Sequence, residues 1–231
     1  MPGKEWLSRT EALLGEAAIE KLSKAKIIIF GVGGVGGYTF EALVRSGVEN
    51  IAVVDSDTVS LSNLNRQIIA TKSTVGKLKV DVARERALDI NPEAKITVFP
   101  IFYSEETEGQ IDLGSYDYVI DAIDSVSSKV RLIENATNAG TKIISSMGAG
   151  NKLSPVGFKV ADIYKTQVCP LARAIRVQLK KKGIKKLKCV YSEEAPAIKT
   201  EGRRVPASIA TVPSAAGLVI ASEVISDIIN S

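Results

Sequence analysis

Residues 26–36 read Lys-Ile-Ile-Ile-Phe-Gly-Val-Gly-Gly-Val-Gly, and residues 51–55 read Ile-Ala-Val-Val-Asp. An apolar run, a glycine-rich turn, a helical stretch and a second apolar run ending in an acid are typical of a nucleotide-binding βαβ unit. In such a unit Gly31 makes the tight turn, Gly33 lets the backbone approach a phosphate, and Gly36 lets the helix pack closely on the strand. The predicted phosphate-binding glycines are Gly31, Gly33, Gly34 and Gly36.

The acid and the loop after the second apolar run indicate which nucleotide binds. Asp55 is placed to accept ribose hydroxyl groups, which suits NAD as well as ATP. The loop over residues 55–67 adds Asp57, Asn63 and Arg66. Because arginine offers planar, permanently charged donors to phosphate oxygens, it stabilises a phosphoryl centre that gains charge during attack. Hydride transfer has no need of this group, so the loop favours ATP.

Composition excludes several kinds of site. The 231 residues are 45% hydrophobic, which is ample for a buried core and argues against disorder. The two cysteines are too few for a disulfide framework or paired Cys-x-x-Cys zinc clusters. The absence of histidine excludes a Ser-His-Asp triad, a Cys-His pair and a His-ligated metal. Catalysis must therefore rest on carboxylates, lysine, arginine, backbone amides and a bound metal.

The order of patterns along the chain predicts an α/β fold, Rossmann-like and doubly wound, with a mainly parallel sheet and a C-terminal antiparallel extension. Up to residue 150 strands and helices alternate: helix 10–24, strand 26–30, helix to Gly47, strand 51–55, helix 80–90, strand 95–99, short helix 105–111, strand 118–124, helix 125–139 and strand 142–146. Beyond it follow an antiparallel strand 156–160, a basic helix 171–182, a strand 187–191, a polar loop 192–206 and an apolar helix 214–229. We expect one domain over residues 1–231, in which residues 1–150 bind the nucleotide and residues 151–231 bind the substrate and form the dimer.

Charge and targeting features indicate location and partners. Residues 173–204 hold eleven Lys and Arg and three acids, a net +8, which leaves −4 for the rest of a chain of net charge +4. This concentration predicts an RNA-phosphate surface, with a solvated helix face as the alternative. Residues 1–6 lack a signal-peptide core, and no apolar run is expected to approach the roughly 18 residues of a membrane span. A cytoplasmic protein without a membrane partner is expected.

Several motifs together resemble the ATP-dependent adenylating superfamily of ubiquitin-activating, molybdopterin-synthase-activating and thiamin sulfur-carrier-activating enzymes. They are the glycine turn, the loop 55–67, Lys79 and Asp121-Ala-Ile-Asp124. Within that superfamily, the segments 121–129, Gly148-Ala-Gly150, Cys169-Pro-Leu and Lys188-Cys-Val-Tyr-Ser-Glu-Glu-Ala are most similar to the tRNA threonylcarbamoyladenosine dehydratase branch.

The resemblance implies that ATP activates the carboxylate of the threonylcarbamoyl group, next to the tRNA anticodon, as an acyl-adenylate. An internal nucleophile then displaces AMP and closes a ring. Arg66 and Lys79 fit the positive charge that the leaving pyrophosphate needs, and Asp124 fits Mg²⁺. The resemblance also implies that Asn63 reaches the phosphates and that Arg9 enters the active site of the partner subunit in a homodimer.

Other interpretations stay open. The chain could adenylate the C-terminus of a ubiquitin-like sulfur carrier, act as an NAD-dependent oxidoreductase, or serve as a nucleotide-bound RNA scaffold without turnover. A sulfur-transfer protein is a further possible partner. Asp121 is predicted to be a structural carboxylate bonded to loop amides rather than a ligand, and Cys189 to be a small core residue rather than a nucleophile.

Overall fold

Seven strands form one sheet in the order β3-β2-β1-β4-β5-β7-β6 in a computed structural model that describes residues 5–198 and 206–231. The strands are β1 Lys26–Phe30, β2 Asn50–Val54, β3 Lys95–Phe99, β4 Tyr118–Asp121, β5 Lys142–Ser146, β6 Phe158–Asp162 and β7 Lys188–Ser192. Neighbouring strands are parallel except β6 and β7, which pair antiparallel. The predicted Rossmann-like, mainly parallel sheet with a C-terminal antiparallel extension is confirmed, and β6 alone runs against the others.

The helices correct two predicted boundaries. They are α1 Ser8–Leu14, α2 Glu16–Lys24, α3 Gly36–Arg45, α4 Lys79–Ile90, α5 Val126–Asn138, α6 Pro170–Lys181 and α7 Thr211–Ile229. The single helix predicted over 10–24 is wrong, because Gly15 adopts φ 86° and separates α1 from α2. The helix predicted over 105–111 is only a 3₁₀ turn at Glu108–Gln110. The predicted polar loop 192–206 lies partly outside the described residues.

Strand β1 explains why the central strands are continuously apolar. Ile27 and Ile29 pack in the same core cluster as Phe40 and Leu43 of α3. The intervening residues, Ile28 and Phe30, pack on the opposite face with Leu132 and Ala136 of α5. Because successive strand side chains point to opposite faces, and helices cover both faces, each buried position from Ile27 to Phe30 must be apolar, whereas Lys26 at the start of the strand is exposed.

Helix α7 is the one described helix that is long and apolar enough to cross a membrane. The prediction that no apolar stretch approaches this length is therefore wrong. The helix packs closely on α3 instead: a Cβ added to Gly217 would lie 2.3 Å from the Val35 carbonyl oxygen, and the Thr39 hydroxyl donates to the Gly217 carbonyl over 3.0 Å. Its side chains Val212, Ala216, Ile220 and Val224 are buried in the core.

Candidate active site

A cleft of about 380 Å³ opens at the carboxyl ends of β1, β2 and β4. In this sheet β2 and β4 lie on either side of β1, so the chain crosses in opposite directions from β1, which is where doubly wound folds bind ligands. Most of the predicted site residues line the cleft. They are Gly31, Gly33, Gly34, Asp55, Asp57, Asn63, Arg66, Lys79 and Asp124. Gly36 and Arg9 are not among its lining residues.

Two glycines of the turn are required by close backbone packing. Gly31 adopts φ 87°, and a Cβ there would lie 2.7 Å from the Ala122 carbonyl oxygen. A Cβ on Gly36, the first residue of α3, would lie 1.9 Å from the Gly31 carbonyl oxygen. The turn, whose residues Gly33, Gly34 and Val35 line the cleft, therefore holds the N-terminus of α3 there, as a phosphate site at a helix N-terminus requires.

Asp55 is fixed at the end of β2 by backbone donors. Its Oδ2 accepts a hydrogen bond from the Val32 N–H over 2.8 Å, and its Oδ1 accepts one from the Asp57 N–H over 2.9 Å. Burial raises the pKa of Asp55, while the Lys79 ammonium opposes this rise. Each carboxylate oxygen keeps a second lone pair, so the group can still accept ribose hydroxyls.

Lys79 is held between two carboxylates. It is the first residue of α4 and only 5% exposed. Its Nζ lies 2.6 Å from Asp57 Oδ2 and 3.8 Å from Asp55 Oδ2. The Asp57 side chain is 66% exposed, so the Lys79–Asp57 contact is the one that a phosphate can replace.

Arg66 and Asn63 are both engaged by their own loop. The Arg66 Nη1 donates to the Ser62 carbonyl and to Asn65 Oδ1, each over 2.9 Å. Asn63 is buried, and its Oδ1 accepts the Ser60 N–H over 3.0 Å. The amide nitrogen is therefore the end of the Asn63 side chain that can donate to a phosphate, and Arg66 keeps further N–H donors.

The segment after β4 differs from the prediction. The strand ends at Asp121 rather than residue 124, and Ala122-Ile123-Asp124 is a loop. Asp121 is fully buried, pairs with Lys129 over 2.7 Å and accepts the Ile123 N–H over 3.1 Å. Its predicted structural role is confirmed, although no sequence pattern indicated the lysine partner.

Asp124 is exposed at the cleft, and its carboxylate forms no hydrogen bond or ion pair within the described residues of the chain. No group of three or more acidic or cysteine side chains that could hold a metal occurs among residues 5–198 and 206–231. A single free carboxylate beside a phosphate site fits Mg²⁺, which one or two protein carboxylates usually hold together with substrate phosphates.

Arg9 and Cys189 lie away from the cleft chemistry. Arg9 is an exposed residue of α1, so within one chain the structure does not bring it to the cleft. Cys189 is fully buried in β7, and burial raises the pKa of its thiol to about 12. The thiol is therefore neutral, as a core residue rather than a nucleophile would be.

One wall of the cleft was missed from the sequence. Ile101, Phe102 and Tyr103 follow β3 and form an apolar side of the cleft, with the Tyr103 ring 4.8 Å from that of Phe30. Pro206, Ser208 and Pro213 line it from the C-terminal region. The predicted strand 95–99 just before the first group was the available sequence signal, because carboxyl ends of parallel strands meet at one edge.

The fold and cleft define a Rossmann-like nucleotide-binding protein with cationic side chains at the phosphate end. The chain belongs to the ThiF family, whose model matches residues 7–231, and the resemblance drawn from its motifs is confirmed. It is 41% identical to a tRNA threonylcarbamoyladenosine dehydratase of Bacillus subtilis, over 96% of this chain and 94% of that protein.

Solved structures agree with this assignment. Crystal structures of the Escherichia coli tRNA N6-threonylcarbamoyladenosine dehydratase match with a TM-score of 0.90 in complex with AMP, at 34% identity over 96% of this chain and 93% of that one. The complex with ATP matches with a TM-score of 0.89, at 33% identity over 98% and 95%. The adenylyltransferase and sulfurtransferase UBA4 of Candida glabrata is 35% identical, but over only 57% of this chain and 30% of that protein.

Proposed function

We propose that this chain is an ATP-dependent adenylating enzyme that dehydrates threonylcarbamoyladenosine in tRNA by ring closure through an acyl-adenylate. The observation that carries the adenylation is the convergence of Asp55, Arg66, Lys79 and Asp124 on one cleft beside the glycine turn. The substrate is suggested by the Bacillus subtilis relative, which this chain matches over nearly its whole length.

In this mechanism Asp55 accepts the ribose hydroxyls, and the phosphates lie along the glycine turn at the N-terminus of α3. The substrate carboxylate attacks the α-phosphorus, and the bond to pyrophosphate breaks. Arg66 and Lys79 stabilise the charge that builds on the phosphates, since positioning and electrostatics supply most of the catalysis of such a transfer. Lys79 exchanges its contact with Asp57 for a phosphate oxygen. An internal nucleophile of the substrate then attacks the acyl carbon, and AMP leaves.

Asp124 is the proposed Mg²⁺ ligand. When bound there, Mg²⁺ neutralises charge on the polyphosphate. Asn63 is proposed to donate to a phosphate through its amide nitrogen, because its oxygen is already engaged by the Ser60 N–H.

We assign residues 1–150 to nucleotide binding and residues 151–231 to substrate binding and dimer contacts. The tRNA anticodon arm is proposed to bind the basic segment, residues 173–204. Lys180, Lys181, Lys185 and Lys186 are exposed, whereas Lys182 pairs with Glu134 over 2.6 Å. Arg176 donates to the Thr166 carbonyl and Lys188 pairs with Glu223 and Asp227, so both are already engaged. Lys199, Arg203 and Arg204 lie outside the described residues.

The enzyme is proposed to work as a cytoplasmic homodimer in which Arg9 enters the partner's cleft. Trp6 and Leu13, three residues before and four after Arg9, are 40% and 83% exposed. Leu13 lies four residues after Arg9 in α1 and therefore shares a side of that helix with it, whereas Trp6 lies in the 3₁₀ turn Glu5–Leu7 just before the helix. Exposed apolar side chains thus lie on both sides of the cation in the sequence, which suits a subunit contact. A sulfur-transfer protein remains a further candidate partner.

ATP–pyrophosphate exchange tests the proposal. Exchange should depend on added tRNA that carries threonylcarbamoyladenosine and should be absent with unmodified tRNA. Exchange that depends instead on a ubiquitin-like carrier would assign the chain to sulfur-carrier activation. Nucleotide binding without exchange under either condition would favour an RNA scaffold.

A further inference from the structure

A fully buried ionic cluster lies beneath the cleft. Asp121, Lys129 and Ser145 each have no exposed surface. The Lys129 Nζ lies 2.7 Å from Asp121 Oδ2, 3.0 Å from the Ser146 carbonyl oxygen and 3.3 Å from Ser145 Oγ. The Ser145 hydroxyl donates to the same Asp121 oxygen. All three donors of the ammonium therefore have acceptors, as a buried charge requires.

Such a pair is weak evidence of a stabilising role. Desolvation of two charges offsets their attraction, and well-packed apolar residues of similar volume often serve stability equally well. What the pair does supply is a fixed geometry, because the Lys129 ammonium must satisfy three acceptors on two strands at once. Asp121 ends β4, the Ser145 and Ser146 acceptors end β5, and Lys129 lies in the first turns of α5.

The cluster therefore anchors both ends of the loop that carries Asp124. The second Asp121 oxygen accepts the Ile123 N–H over 3.1 Å at the start of the loop, and α5 begins two residues after Asp124. The same loop supports the glycine turn: Ala122 donates from its N–H to the Phe30 carbonyl over 2.9 Å, and its carbonyl oxygen faces Gly31. Asp124 itself has no partner in the described chain that would hold its carboxylate.

We propose that Lys129 is a positioning residue that acts through Asp121 to hold Asp124 at the phosphate end of the cleft. This inference rests on the proposed function, because it gives Asp124 a metal to hold. Lys129 does not touch the nucleotide or the substrate. It fixes the orientation of the Asp124 carboxylate, just as residues behind metal ligands generally orient those ligands.

The test uses the double variant Asp121→Asn, Lys129→Met, which removes both buried charges and leaves an amide oxygen for the Ile123 N–H. Binding of Mn²⁺ with a non-hydrolysable ATP analogue is followed by electron paramagnetic resonance, so no turnover is needed. The affinity for Mn²⁺ should fall about 10- to 100-fold, and the kcat of modified-tRNA conversion by a similar factor. Metal-free ATP affinity should stay within about threefold of the parent, since neither substituted side chain contacts Asp55 or the glycine turn directly.

The matched control is Arg86→Met. It removes a cation from the buried carboxylate of Glu41, to which Arg86 donates over 2.6 and 2.9 Å, between α3 and α4 and outside the cleft. Its melting temperature should fall while Mn²⁺ affinity is unchanged. Ser145→Ala, a milder change that removes one hydroxyl from the cluster, should give a smaller loss of Mn²⁺ affinity and keeps the test informative should the double variant not fold.

Two results would overturn the proposal: parental Mn²⁺ affinity and kcat in folded Ser145→Ala and double-variant protein, or an equal loss in Arg86→Met. The proposed function is tested separately, because if it is wrong the parent enzyme shows no ATP–pyrophosphate exchange with modified tRNA. If the parent enzyme shows no exchange but the double variant still binds Mn²⁺ more weakly than the parent, the proposed role of Lys129 stands and the proposed substrate is wrong.

Discussion

At the scale of single residues, some charged side chains at the phosphate end of the cleft already form ion pairs, and others are available to a ligand. Lys79 lies between Asp55 and Asp57, whereas the Asp124 carboxylate has no partner among residues 5–198 and 206–231. Within the part of the chain that the structure describes, Arg66 donates only to acceptors of its own loop, which are neutral. Arg66 and Asp124 are therefore the groups most available to the proposed polyphosphate and Mg²⁺.

Arg66→Ala and Asp124→Ala should each reduce adenylation on the order of 10²-fold or more, because each removes charge stabilisation at the phosphates. Asp55→Ala should act mainly on ATP affinity. ATP–pyrophosphate exchange and nucleotide titration separate these effects, with circular dichroism as the check of folding. Near-normal turnover of Asp124→Ala at ordinary Mg²⁺ concentration would remove Asp124 from the metal site.

Cys189 should not react with alkylating reagents in the folded protein. Its thiol is fully buried, and its pKa of about 12 lies above any working pH, so the thiolate that attacks such reagents is scarce. Iodoacetamide at pH 8 should label Cys189 only after denaturant is added, as read by mass spectrometry of the peptide. Cys189→Ala should keep turnover within about twofold of the parent. Rapid native labelling, or loss of turnover in a folded variant, would instead indicate covalent catalysis.

At the scale of elements, the glycine turn and the loops after β2 and β4 decide the nucleotide together. ATP should bind in isothermal calorimetry and NADH should not, since Arg66, Lys79 and Asp124 line the cleft with charges that suit a polyphosphate better than a nicotinamide. The matched control is Arg66→Ala, whose ATP affinity should fall toward that of AMP because its contact is to phosphate. Tight NADH binding without a response to ATP would exclude the adenylation mechanism.

RNA binding can be tested on the lysines of helix α6 and of the residues that follow it. Changing Lys180, Lys181, Lys182, Lys185 and Lys186 to Ser should raise the KM for tRNA and leave ATP affinity unchanged. The salt dependence should flatten by roughly 0.7–0.9 in logarithmic slope for each lysine–phosphate interaction that the variant removes. Lys182 should contribute least, because it already pairs with Glu134.

The control for that experiment replaces Lys24, Lys26, Lys95 and Lys142 by Ser. Lys26, Lys95 and Lys142 begin β1, β3 and β5, and Lys24 ends α2 two residues before β1. All four are exposed and none lines the cleft. Their removal should change the KM for tRNA far less per charge than removal of the basic run, Lys180–Lys182 with Lys185 and Lys186. Equal effects would mean that the run is only a solvated face.

How far the sequence predicts these elements depends on whether a local pattern or a distant partner decides them. The β1–glycine–α3–β2 unit and the basic helix follow from local periodicity and glycine placement, and the structure agrees on both. The break at Gly15 interrupts an amphipathic pattern that continues on both sides, so periodicity alone spans it. The buried pairing of Asp121 depends on Lys129 and Ser145, which become its neighbours only in the folded sheet.

The candidate site shows the same division. Residue types and order placed nine predicted side chains or glycines at one cleft, because carboxyl ends of parallel strands share an edge. Which charges are already paired could not be predicted, since the Lys79–Asp57 contact spans 22 residues and depends on the loop path. The apolar wall at Ile101–Tyr103 depends likewise on β3 lying beside β2.

At the scale of the whole molecule, Arg9 lies outside the cleft of its own chain, so the proposed mechanism needs a second subunit to bring an Arg9 to each site. Arg9 is exposed on α1 and does not line the cleft of its own chain. The exposed Trp6 and Leu13 beside it supply apolar surface for a second copy. A symmetric dimer would place two such helices reciprocally, so that each chain completes the other's site.

Mixing Arg9→Ala protein with Asp124→Ala protein tests this arrangement. In a hybrid dimer one cleft keeps Asp124 and receives an intact Arg9 from the other chain, while the second cleft lacks both. Neither parent variant should turn over appreciably, but random exchange makes half of the dimers hybrid, each with one intact site, so roughly a quarter of wild-type activity should return. Sedimentation and native mass spectrometry of differently tagged chains establish that hybrids have formed. If demonstrated hybrids stay inactive, Arg9 acts within its own chain or has no role in the reaction, and the apolar surface beside it needs another explanation.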